Sequence, residues 1–181
     1  MRIYIKQRGS RYKFFKGKEE GEPFLIGYWD SKRKIGLHSK ILNTEKEELV
    51  TIDISYSPWF WKMHKIIYRI VFHKLNAEVE VKAANYFRGH WTFVFGGDRY
   101  DYYAHYGRKK SLYKNDNQVA KYSMGTVNVW DRDFGFIISN NDENELLLLS
   151  VFLMLDMGED MDGDLNIDLG NMVAGVKEYN E

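Results

Sequence analysis

Residues 57–74, SPWFWKMHKIIYRIVFHK, hold the most suggestive chemistry in the chain. Trp59, Phe60 and Trp61 stand beside Pro58, where a turn is expected; Lys62, Lys65, Arg69 and Lys74 add four positive charges, with no acid among them. Indole rings beside cations suit an anionic lipid interface, with the ring at headgroup depth and the cation on phosphate. They also suit a stacked single strand of nucleic acid. A plainer alternative is a strand whose aromatics pack inward while its Lys and Arg are solvated. Trp59, Trp61, Lys62, Lys65, Arg69 and Lys74 are therefore the candidate lipid- or anion-binding residues. A second basic run, Arg108-Lys109-Lys110, reads as a solvated turn.

Other chemistry is less well supported. Asp160, Asp162 and Asp164 alternate as in a calcium loop, but the sixth position from Asp160 is Leu165 rather than Gly, and the twelfth is Asn171 rather than Glu. The histidines, at 38, 64, 73, 90 and 105, show no metal-ligand spacing, and FGGDRY lacks the Gly-Lys-Ser/Thr of a phosphate loop. No G-x-S-x-G elbow occurs. The chain has no cysteine, which excludes a disulfide scaffold, a thiol nucleophile and a thiolate metal site. No catalytic residue, metal or cofactor is expected on these grounds.

The elements that position these residues read mainly as strands. Aromatic residues make up 16% of 181 residues, and there are only two prolines, which favours pleated structure with few interruptions. Period-2 patterns recur: Ile3 with Ile5; Val50, Ile52 and Ile54; Tyr68, Ile70 and Phe72; Val79 with Val81; Trp91, Phe93 and Phe95; Val127 with Val129; Phe136 with Ile138. Turn signals lie between them at Gly9-Ser10, Gly96-Gly97-Asp98, Tyr106-Gly107 and Asn115-Asp116-Asn117. Roughly eleven or twelve strands fit before residue 140 at the spacing of an all-β domain.

Residues 145–160, ELLLLSVFLMLDMGED, break the pattern. Asn141 or Asp142 is expected to cap a helix over 142–157, with Gly158 as its stop. Leu146 to Leu155 are apolar except for Ser150, whose hydroxyl has the Leu146 carbonyl within reach. At ~100° per residue these ten positions go fully round the helix and leave no polar face. The run has about half the ~20 residues a membrane span needs, so it must be buried in protein. A sheet wrapped about 10 Å from a helix axis closes with about ten tilted strands. Ten helical residues and one six-residue tilted strand both rise about 15 Å. The expected fold is mainly β: a closed antiparallel barrel of about twelve strands around a central hydrophobic helix, in one domain over 1–157. An acidic C-terminal extension over 158–181 follows.

Net charge is zero, yet residues 142–181 carry 11 acids and one lysine, which leaves 25 bases against 15 acids in 1–141. The two parts attract. Simple self-neutralisation accounts for this, and so does an acidic end that masks a basic face meant for an anionic partner.

Residues 117–156, NQVAKYSMGTVNVWDRDFGFIISNNDENELLLLSVFLMLD, resemble the end of tubby C-terminal-like domains. That superfamily includes tubby proteins, LURP-one-related proteins and phospholipid scramblases, and its bacterial members are the most similar. The likeness lies in Val119-Ala120, in the strand from Asp133 to Ile138, and in the acid-capped loop and apolar helix ending at Asp156. It implies a twelve-stranded barrel threaded by a hydrophobic helix. The chain departs from the family in running on past the helix, and it lacks the scramblases' cysteine-rich segment. The expectation is a non-enzymatic binding module for anionic lipid or a protein partner at the membrane surface, with no transmembrane segment. MRIYIKQRGS has no apolar run of signal-peptide length, so a cytoplasmic or membrane-peripheral location is expected. The alternatives are a small-molecule-binding or enzymatic barrel with a pocket at its mouth, and nucleic-acid binding through residues 57–74.

Overall fold

The computed structural model describes residues 1–18, 20–30, 38–56, 66–85, 89–105, 109–125 and 132–161. Its strands are β1 (Arg2–Arg8), β2 (Arg11–Lys16), β3 (Leu25–Asp30), β4 (His38–Leu42), β5 (Glu48–Tyr56), β6 (Ile66–Phe72), β7 (Ala77–Asn85), β8 (His90–Phe95), β9 (Asp98–His105), β10 (Lys109–Lys114), β11 (Asn117–Gly125) and β12 (Arg132–Ser139). One helix follows, α1 (Glu145–Met161). Each strand pairs antiparallel with its sequence neighbours, and β12 returns to pair with β1, so the sheet closes into an up-and-down barrel. Closure leaves no unpaired sheet edge. Val127 and Val129 lie outside the described residues.

Tight turns set the register. Gly96 and Gly97 hold φ of +62° and +88° between β8 and β9, and Asn115 and Asp116 hold +46° and +69° between β10 and β11. Two successive positive-φ residues make the hairpin turn whose twist matches the strands it joins.

The helix fills the barrel. Leu147, Leu148, Leu149, Ser150 and Val151 are each 0% exposed, and five consecutive residues exceed one helical turn, so no side of α1 meets water. Aromatic strand residues seat it: Tyr122 stacks on Phe152 at 6.3 Å, and Tyr12 meets the same ring edge-on. Three buried phenols tie the sheet to the helix and to the residue before its cap. Tyr12 donates to Asp156 Oδ2 at 2.7 Å, Tyr122 to the Leu148 carbonyl at 3.4 Å, and Tyr100 to Glu143 Oε2 at 3.3 Å. Gly27 lets the helix approach β3, where a Cβ would stand 3.2 Å from Leu153 Cδ2. Ser150 donates to the Leu146 carbonyl at 2.6 Å, as its position in an apolar helix requires.

The helix limits differ from the sequence expectation of 142–157. Asn144 is the cap, accepting the Leu147 amide at 3.1 Å, and Glu143 is pulled away into the barrel by Tyr100. Gly158 does not stop the helix, which continues to Met161; a glycine inside a helix costs only about 1 kcal/mol relative to alanine. In β12 the inward residue is Ile137, paired with Ile3, while Phe136 and Ile138 face outward opposite Tyr4 and Arg2. Of the basic run 108–110, Arg108 is outside the described residues, and Lys109 and Lys110 open β10 rather than form a turn. Lys110 is only 2% exposed because its register, opposite Ala104 and Tyr122, turns it inward.

Candidate functional site: a cationic and aromatic face

Alternation puts Ile3 and Ile5 of β1, and Tyr12 and Phe14 of β2, inside the barrel. The intervening residues face outward: Arg2, Tyr4, Lys6 and Arg8 on β1, and Arg11, Lys13 and Phe15 on β2. Register places Tyr4 opposite both Phe15 and Phe136, and Lys6 opposite both Lys13 and Phe134. Arg8 stands opposite Arg11, with Arg132 at the register position on its other side. Three adjacent strands thus carry rows of cations between rows of aromatics.

Rings, not carboxylates, face three of these cations. The Arg2 guanidinium lies 5.4 Å from the centre of Phe136 and 5.9 Å from that of Tyr4. Lys6 Nζ sits between Phe15 at 5.4 Å and Phe134 at 5.7 Å, and Arg11 lies 5.5 Å from Tyr28. Among the described residues, no carboxylate stands within 4 Å of Arg2, Lys6, Arg8, Arg11 or Lys13. Like charges directly opposite across strands destabilise a sheet by roughly 0.2–1 kcal/mol per pair. A cation over a ring recovers about 0.5–1 kcal/mol at an exposed site. The two effects are of similar size, so the aromatics let the fold hold Lys6 opposite Lys13 without a counter-ion. Ile138, 36% exposed beside Arg2, adds apolar surface to the face.

The candidates from residues 57–74 fall elsewhere. Trp59, Trp61, Lys62 and Lys65 lie outside the described residues. Arg69 is on β6, where its guanidinium donates to both carboxylate oxygens of Glu78 on β7, one of them at 2.6 Å. Lys74, in the following turn, donates to Glu47 Oε2 at 3.0 Å. These two cations are therefore already partnered.

Two other polar clusters were not evident from the sequence. At the start of α1, buried Glu143 meets the Tyr100 hydroxyl and stands 3.8 Å from Lys114 Nζ, which itself pairs with Asp98 at 3.1 Å. Burial pushes the Tyr100 hydroxyl up, and the Asp98 hydrogen bond holds Lys114 above the usual lysine range. Both groups stay protonated at neutral pH, and the cluster anchors the helix start. Elsewhere, His105 Nε2 lies 2.6 Å from Ser111 Oγ, and burial lowers the His105 pKa. That resembles a base beside a nucleophile, but Ser111 is 0% exposed.

Comparison with family models, with curated proteins and with solved structures gives no match. The geometry of the chain itself therefore carries the functional reading. Among the described residues, no helix is long and apolar enough to cross a membrane.

Proposed function

We propose that this chain is a non-enzymatic binding module that engages anionic membrane lipid through the outer face of β12, β1 and β2, at the cytoplasmic surface of the membrane. One observation carries the reading: among the described residues, five cations on one face have no carboxylate within 4 Å, and three of them, Arg2, Lys6 and Arg11, lie over aromatic rings. Such a face lowers its own electrostatic energy when anionic headgroups approach, and each cation near a charged leaflet contributes about 1 kcal/mol. Tyr4 and Tyr28 beneath the cations are amphipathic rings suited to the depth at which headgroups meet acyl chains, and Phe134, Phe136 and Ile138 add apolar surface beside them. Membership of the tubby C-terminal-like superfamily belongs to the same proposal. It rests on residues 117–156, and the barrel around a hydrophobic helix is the fold which that resemblance implied.

Flotation with vesicles of zwitterionic lipid, with and without anionic lipid, tests it. Lys6→Glu/Lys13→Glu should weaken association with anionic vesicles by at least about tenfold, and Lys62→Glu/Lys65→Glu serves as the comparison arm. Equal binding by wild type and the Lys6/Lys13 variant overturns the assignment of the face. Retention on a single-stranded oligonucleotide without vesicle binding, abolished by the same reversal, would replace lipid with nucleic acid.

A further inference from the structure

We infer that residues 162–181 act as an intramolecular ligand for this cationic face and compete with the external anion. The inference rests on the lipid-binding reading and names the regulation of the same surface.

Where the helix leaves the barrel is the first observation. Glu145, at the start of α1, pairs with Lys16 at the far end of β2. Asp156 accepts from Tyr12, next to Arg11 at the near end of β2. The helix therefore runs toward the Gly9-Ser10 turn, the end that carries the Arg8–Arg11 pair. Met161, where α1 stops, is five residues beyond Asp156, a rise of about 7.5 Å. The chain that follows thus starts from the barrel end that carries the Arg8–Arg11 pair.

Charge is the second. Residues 162–181 contain Asp162, Asp164, Asp168, Glu178 and Glu181 against the single base Lys177. In DLNID, residues 164–168, Asp164, Asn166 and Asp168 alternate with Leu165 and Ile167. An extended segment of that pattern presents carboxylates and aliphatic groups on opposite sides, and a face of cations between aromatics can receive either.

Reach is the third. Twenty residues extend to at most about 66 Å, and a six-residue strand spans about 20 Å, so the segment can cover the whole face. A tethered ligand acts at a high effective concentration, so individually weak exposed ion pairs suffice to occupy the site.

Two measurements on the full chain separate this inference from the function it regulates. The first is carbodiimide coupling, which joins an amine to a carboxylate only in contact, followed by mass-spectrometric mapping. Links from Lys6 or Lys13 to Asp162, Asp164 or Asp168, lost at high salt, are expected. The second compares wild type with Asp162→Asn/Asp164→Asn/Asp168→Asn on anionic vesicles, where the variant should bind roughly three- to tenfold more tightly. Links without vesicle binding by either protein keep the intramolecular contact and remove the lipid reading. Equal vesicle binding by both proteins with no such links keeps the lipid reading and overturns this inference.

Discussion

Two regions of the barrel's outside treat charge in opposite ways. On β4–β7 and β9–β10 opposite charges meet repeatedly: Lys40 with Glu48 at 3.6 Å, Arg69 with Glu78, Lys82 with Glu80 at 2.9 Å, and Arg99 with Asp101 at 3.0 Å. His38 with Asp53 at 2.7 Å and His90 with Asp101 at 2.8 Å extend the same pattern. On β12–β1–β2 the register sets Lys against Lys and Arg against Arg, over rings. The first arrangement satisfies its charges internally. The second leaves positive potential available to a partner, and the aromatics make that tolerable. The paired surface is a solvated wall, and the unpaired one is the surface proposed to bind.

The largest effect expected is loss of both faces at once. Leu149→Asp puts an unpaired charge where nothing polar can meet it, and no soluble folded protein should form in expression and circular dichroism. A soluble, cooperative variant would mean that the two faces do not share this core. Gly135→Val strikes the core directly beneath the unpaired face. Its side chain would strike Met124 and come 2.7 Å from the Ser123 carbonyl, between Phe134 and Phe136. A loss of about 3 kcal/mol in denaturant titration is expected, with vesicle association falling alongside.

Smaller changes test the comparison by their sign. Lys13→Thr removes a like-charge neighbour of Lys6 and adds a good strand former, so stability should rise by about 0.5 kcal/mol. Arg69→Thr strands Glu78 and should lower the melting temperature. If both substitutions move stability in the same direction, the contrast between the faces is wrong.

The smallest effect is the acid limb. Glu78 is held below the usual glutamate value of 4.5, first by its hydrogen bond from Arg69; Glu47 is lowered first by Lys74, and Asp98 first by Asn115. A carboxylate whose pKa is lower in the folded than in the unfolded chain adds stability above the unfolded value and loses it as pH falls through the folded one. Stability should therefore decline below about pH 4.5, and Glu78→Gln should make that decline shallower in denaturant titrations at pH 7 and pH 3. All three groups are exposed, so solvent screening keeps the change small.

Much of the fold was legible in the sequence because burial leaves a periodic signature. Ile3 with Ile5 and Val50 with Ile52 needed only alternation to be placed inside. A run with no polar face had to be enclosed, and the strand count supplied the enclosure. Phe136 and Ile138 were harder, since Ile137 between them is also apolar and period alone does not choose; pairing with β1 chose Ile137. The helix cap moved to Asn144 because a tertiary hydrogen bond drew Glu143 inward.

The candidate site was only half legible. MRIYIKQRGSRYKFFK holds Arg2, Lys6, Arg8, Arg11, Lys13 and Lys16 with no acid before Glu19, a signal as strong as the one in residues 57–74. What it lacked was the other half of the surface. Phe134 and Phe136 lie more than 120 residues away in the chain and reach Lys6 and Arg2 only when β12 closes on β1. Arg69 and Lys74 looked as available as Lys6 until β6 met β7 and the turn met Glu47. Composition and period by themselves determined that strands would form, that a wholly apolar helix would be enclosed, and that opposite charge would gather at the two ends of the chain. Which cations keep a counter-ion and which face outward unpaired was decided by the tertiary structure, chiefly strand register, because ion pairing depends on contacts of a few ångströms that the linear order does not encode.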